Sequence, residues 1–183
     1  MSIGATPPRL SKQKLHQLFI DGLGNRLKEH SDITKSPLLV DLMPPFALKL
    51  RVYLYNCTNP PGGRGLDEYK FQVILPGQKR GARGSLDFSD SRMPMLVAYA
   101  RIVDEDTGGV FIMWDPYKHD DYSYSANMQV KSETIIRALC VPVATSTRGN
   151  GEIILAARGD HLIDAIRQRV AIMRESIVGG DKM

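Results

Sequence analysis

Cysteine is scarce. Cys57 and Cys140 are the only two in the 183 residues, too few for a disulfide scaffold or a closed zinc site. Both stand among apolar or β-type neighbours, so both are expected as buried, reduced thiols. Long apolar runs are missing as well. The most apolar stretches, such as residues 37–40 and 153–157, stop at proline or charge, far short of the ~20 residues a membrane span needs. The chain is therefore not expected to be integral to a membrane. Residues 1–10 lack the apolar core of a secretory signal, which points to the cytoplasm. There is no internal repeat and no low-complexity tract. With 43% hydrophobic and 24% charged residues, the composition is that of a folding chain and not of a disordered or fibrous one. A length of 183 residues fits one domain with short appendages better than two domains.

Familiar catalytic signatures are also absent. No Gly-x-Ser-x-Gly motif accompanies the scattered His16, His30 and His161. The run Gly62-Gly63-Arg64-Gly65 precedes a predicted strand and not a helix, so it fails both the phosphate-loop and the dinucleotide patterns. His119, Asp120 and Asp121 are adjacent and cannot easily converge on one ion, so a solvated loop is expected there. No cofactor is expected.

The patterns that are present predict an α+β fold: a mainly antiparallel sheet, or partly open pseudo-barrel, with a helix near each end. Residues 11–30 place Leu15, Leu18, Phe19, Leu23 and Leu27 at helical spacing behind Ser11 as N-cap, with Gly22 and Gly24 weakening the middle. A proline-bearing connector over 37–45 follows, then a strand over 46–58 whose two faces differ. The loop Asn59-Pro60-Pro61-Gly62-Gly63-Arg64-Gly65 reads as a long hairpin connection to a strand over 69–75. A second loop spans 76–90. Strands at 95–103 and 110–114 flank a turn at 104–109, and a short strand lies near 128–130. A helical turn capped by Ser132 covers 132–139, and strands at 139–144 and 152–157 flank a turn at 147–151. A final helix from Asp160 carries Leu162, Ile163, Ile166, Val170 and Met173 on one face. Arg167, Arg169 and Arg174 are read there as solvated, and Gly179-Gly180 as the helix end.

Net charge is +4, compatible with a polyanionic partner, so the distribution of charge decides. Arg64 stands among glycines in the first loop, and Lys79, Arg80 and Arg83 stand among small residues in the second. Glycines let backbone approach phosphate, while lysine and arginine neutralise phosphates or read base edges. The alternative is two flexible, solvated loops. Beyond Trp114, expected in the core, Tyr117, Lys118, Tyr122 and Tyr124 lie in a polar stretch where rings can stack on bases, including an extruded base. A magnesium-dependent nuclease would need clustered acids with a lysine, and Asp41, Glu68 and Lys70 have those types. The plainer reading of Lys70 is the exposed face of its strand.

Glu68-Tyr69-Lys70-Phe71-Gln72, the basic loop after it, Leu96-Val97-Ala98-Tyr99 and Val110-Phe111-Ile112-Met113-Trp114-Asp115 together resemble DNA-recognition domains of bacterial restriction endonucleases. These include pseudo-barrel specificity domains of the EcoRII-like type and domains of modification-dependent systems. The resemblance covers residues 46–158. It implies two arms gripping a major groove, with Arg64, Lys79, Arg80 and Arg83 on one and residues 117–127 as the second. The whole chain is read as a single domain with a helical N-terminal appendage and connector (1–45), a β-rich recognition core (46–158) and a closing helix (159–183); the helical segments at each end depart from the resembled domains. The resulting expectation is a double-stranded-DNA-binding or specificity component of a restriction or defence system, partnered by a nuclease or methyltransferase subunit. The alternatives are a small metal-dependent endonuclease, an RNA-binding module and a non-catalytic protein-interaction subunit.

Overall fold

A computed structural model of the protein describes residues 9–59, 67–102, 107–119 and 121–180. Helix α1 spans Lys12–Leu23, and the Ser11 hydroxyl oxygen accepts from the Lys14 N–H at 3.1 Å. It ends earlier than the periodicity of residues 11–30 predicts. Gly24 sits at φ 55°, in the region that favours glycine, and its N–H returns to the Ile20 carbonyl. Leu27 therefore falls on a strand, β1 (Leu27–His30), and not on the helix.

The predicted connector at 37–45 is also a strand. β2 (Leu38–Leu42) is bounded, and not interrupted, by its prolines, and it buries Leu38, Val40 and Leu42. It pairs antiparallel with β3 (Lys49–Cys57), from Leu38 opposite Val52 to Asp41 opposite Lys49. The other side of β3 lies parallel to β6 (Met93–Ala100), which pairs antiparallel with β7 (Val110–Trp114). Next come β11 (Ile153–Arg158) and the edge strand β10 (Ala144–Thr147), giving the order β1-β2-β3-β6-β7-β11-β10. The fold is α+β, and the mostly antiparallel sheet ends in two edges, so it is not a closed barrel.

With β2 and β6 occupying both sides of β3, no hairpin to the next strand can form in this sheet. β4 (Glu68–Val73) meets the chain just beyond β3 in one isolated bridge, Thr58 to Lys70, stacks Phe71 on Tyr55 of β3, and pairs along its length with β9 (Ala126–Lys131). Helix α2 (Ser132–Ala138) follows, with Lys131 and not Ser132 at the cap position; the Ser132 N–H donates to the Asp67 carbonyl at 2.7 Å. Its last turn continues through Cys140, whose N–H meets the Arg137 carbonyl, so β10 starts at Ala144 and not at 139. Cys57 is buried as expected, whereas Cys140 is exposed on that turn.

The near-continuous apolar sequences of β6, β7 and β11 follow from burial on both faces. On one face Met95, Val97, Tyr99, Phe111, Met113 and Leu155 pack against α1 and α3 (Leu162–Gly180). On the other, Leu96, Ala98, Ile112, Trp114 and Ala156 pack under β4, β9 and α2. Each fully buried large side chain contributes about 1.5–3 kcal/mol. α3 presents its apolar stripe as expected, but Arg169 is completely buried, not solvated, and the helix continues through Gly179. Among the described residues, no helix is long and apolar enough to cross a membrane.

Candidate nucleic-acid interface

The second basic loop and the polar aromatic stretch come together on the α2 side of the sheet. β5 (Gly84–Ser85) pairs antiparallel with β8 (Asp121–Tyr122), Gly84 opposite Tyr122 and Ser85 opposite Asp121. This short ribbon has an inner face, where Leu86 and Tyr122 enter the second core, and an outer face carrying Ser85 and Asp121. Gln78 ties the loop shut. Its Oε1 accepts from the Leu75 N–H at 3.0 Å, and its Nε2 donates to the carbonyls of Ala82 at 2.9 Å and Tyr122 at 3.3 Å. Three residues beyond Ser85 and four before Asp121, Phe88 and Tyr117 stack with centroids 5.2 Å apart and planes at 24°.

Buried Arg51 pins the Phe88 segment. Its Nη1 donates to the carbonyls of Asp87 at 2.8 Å and Ser89 at 3.2 Å, and it forms ion pairs with Asp87 at 3.2 Å and Asp90 at 3.4 Å. The Asp87 N–H donates to the Tyr53 hydroxyl oxygen. Asp90 and Ser91 follow at φ 62° and 55°, a conformation uncommon outside glycine that persists where surrounding contacts enforce it. Hydrogen bonds from Ser89 come first, with the Arg51 charge a smaller cause, in holding the Asp87 carboxyl below its ordinary value.

The Tyr117 segment is pinned from the opposite side. Asp115, almost fully buried, accepts from the Tyr117 N–H at 2.9 Å and caps a single 3-10 turn over Pro116–Lys118. His119, expected in a solvated loop, instead donates through Nε2 to the Glu152 carboxylate at 2.7 Å. Glu152 is completely buried just before β11 and is also approached by Arg148 at 3.6 Å and by the Asp115 N–H at 3.3 Å. Burial alone pushes the Glu152 carboxyl up. The His119 hydrogen bond and charge, the Asp115 N–H and Arg148 together outweigh burial, leaving it below the ordinary carboxylate value.

Of the residues that sequence reasoning nominated, Lys79 and Arg80 are exposed and form no ion pair among the described residues. Arg83 is exposed but engaged, its Nη2 3.0 Å from Asp121. Tyr117 and Lys118 are exposed, the lysine donating to the Asn150 carbonyl at 3.4 Å, and Tyr124 is half-buried. Tyr122 is only 3% exposed, so its ring supports the ribbon from beneath and is not presented to a ligand. Arg64 lies outside the described residues.

The nuclease trio is not assembled. Asp41 sits opposite Lys49 at the start of β3 and pairs with Arg92 at 2.8 Å. Lys70 bridges Thr58, just beyond the far end of the same strand, about 30 Å along a chain rising ~3.3 Å per residue. Lys70 does not stand on an exposed face, since its side chain is only 12% exposed and lies 3.8 Å from Glu68. Among the described residues, no group of three or more His, Cys, Asp or Glu side chains is arranged to hold a metal ion.

Sequence reasoning missed Phe88, Arg51, His119 and Glu152. Arg51 offered the one usable signal, a cation in a strand between Leu50 and Val52, where long burial demands partners. The other three depend on contacts distant in sequence.

Neither a curated protein nor a solved structure matches the chain. The family model described as Methylase-associated X1 (MTaX1) matches residues 48–166, a span running from the residue before β3 into α3 and taking in both pinned segments. A match over well over half of the chain makes this protein a member of the methylase-associated X1 family, and so ties it to restriction–modification systems.

Proposed function

We propose that the protein is a double-stranded-DNA-binding component of a restriction–modification system, working beside a methyltransferase in the cytoplasm. The observation that carries this reading is the joining of the 76–92 loop to the 115–122 segment through the β5–β8 ribbon, with Lys79, Arg80 and Lys118 exposed around it. A two-stranded ribbon is of a size that a major groove admits, and exposed cations beside it supply phosphate contacts. The acids nearby offset that charge only in part, because Arg51 and Arg83 neutralise two of the three charges of Asp87, Asp90 and Asp121. In this reading all 183 residues act as one domain. α1 and α3 back the strands that hold the ribbon.

Titrating labelled duplex DNA with the full chain over a salt series tests the reading. Three phosphate contacts correspond to a slope of log affinity against log salt of about −3. Replacing Lys79, Arg80 and Lys118 together with alanine is expected to remove most of the binding and flatten the slope. Absence of binding at low salt, or an unchanged slope in a folded triple variant, overturns it.

A further inference from the structure

Among the described residues, Phe88 and Tyr117 are the most exposed aromatic side chains, and they stack on each other. Phe88 is 38% exposed and Tyr117 44%. The rings lean on each other, so each keeps a face in water at a cost that burial would have relieved. Both backbones are nevertheless fixed. Phe88 lies between two carbonyls held by the buried Arg51 guanidinium, and Tyr117 hangs from the buried Asp115 carboxylate. An aromatic pair presented on two anchored segments loses little freedom when a ring stacks on it. Lys118 adjoins Tyr117 in sequence, and the exposed Lys79 and Arg80 lie on the same loop as Phe88.

A flat π-face with Lys118 next to Tyr117 in sequence, and Lys79 and Arg80 earlier on the loop that carries Phe88, matches one ligand chemistry well, a nucleobase whose own phosphates those cations neutralise. Paired bases in a duplex are already stacked and offer no free face. We infer that Phe88 and Tyr117 form a stacking platform for a nucleobase that has left the helical stack, so that the preferred ligand is a duplex carrying an unpaired or extruded base. This inference rests on the DNA-binding reading above and specifies its substrate class.

The test compares a fully paired duplex with the same duplex containing one unpaired 2-aminopurine. The wild-type chain, Phe88→Leu/Tyr117→Leu and Tyr117→Phe are each checked for native circular dichroism. The wild type is expected to bind the unpaired-base duplex at least about fivefold more tightly and to change the 2-aminopurine fluorescence on binding. The double leucine variant should bind both duplexes alike with an unchanged salt slope, while Tyr117→Phe, which keeps the ring, should retain the preference. Equal wild-type affinity for the two duplexes, with salt dependence intact, overturns the platform and leaves the DNA-binding reading standing. No binding to either duplex removes both. A double leucine variant that keeps the preference but no longer co-elutes with the cognate methyltransferase would make the pair a protein-docking site, and that too overturns the inference.

Discussion

The Arg169 guanidinium lies 3.8 Å from the Asp115 carboxylate, with Arg169 fully buried and Asp115 nearly so. The same arginine donates to the Ile153 carbonyl at 2.5 Å. One side chain from α3 thus reaches the end of β7 to compensate the acid that caps the Tyr117 turn. Burial lowers the affinity of this guanidinium for its proton, and the charges of Asp115 and Glu152 oppose that effect.

Removing Arg169 leaves Asp115 buried without its counter-charge. Arg169→Leu is expected to cost about 3–5 kcal/mol, read as a shift in the urea midpoint. Combining it with Asp115→Asn should cost less than the two single changes added together.

Glu152 makes stability depend on pH. Its carboxyl lies below the ordinary value of 4.5 in the folded state. The stabilisation is therefore complete above the unfolded value and is lost as pH falls through the folded one. Glu152→Gln should lower stability at neutral pH, and the gap to wild type should narrow as pH drops below about 4.5. Urea melts at a series of pH values check this, and a constant gap would contradict it.

The two cysteines should behave oppositely. Burial pushes the Cys57 thiol well up, whereas Cys140 is exposed, and the thiolate is the reactive form. Native alkylation should modify Cys140 quickly and Cys57 only on unfolding, as peptide mass mapping would show.

Gly109 is fixed by close approach. A Cβ built there would fall 2.5 Å from both the Ala100 carbonyl oxygen and the Tyr99 ring, whose hydroxyl oxygen accepts from the Gly109 N–H. Gly109→Ala should cost about 1–3 kcal/mol by overpacking, measured by thermal or urea unfolding.

Elements whose burial is written locally are legible from the residues alone. The apolar runs of β6 and β7, the helical stripe Leu162, Ile166, Val170 and Met173, and the Ser11 cap need no distant partner to be read, because side-chain periodicity reports which faces leave water. Contacts between distant segments set the rest. Whether residues 38–42 form a connector or a strand depended on β3 offering a free edge, and whether β4 made a hairpin depended on that edge being taken. The fates of charged residues were likewise non-local. Glu152 and Arg169 look like solvated charges in sequence, and they, like Arg51, are buried with partners that reach them from other elements: His119, Asp115 and Asp87. The pairing of Phe88 with Tyr117 has the same origin, since it exists only where two segments that sequence reasoning treated as separate arms are held side by side by a two-residue ladder. Periodicity records burial along one chain segment, whereas charge compensation and ring stacking are set by which segments the fold makes neighbours.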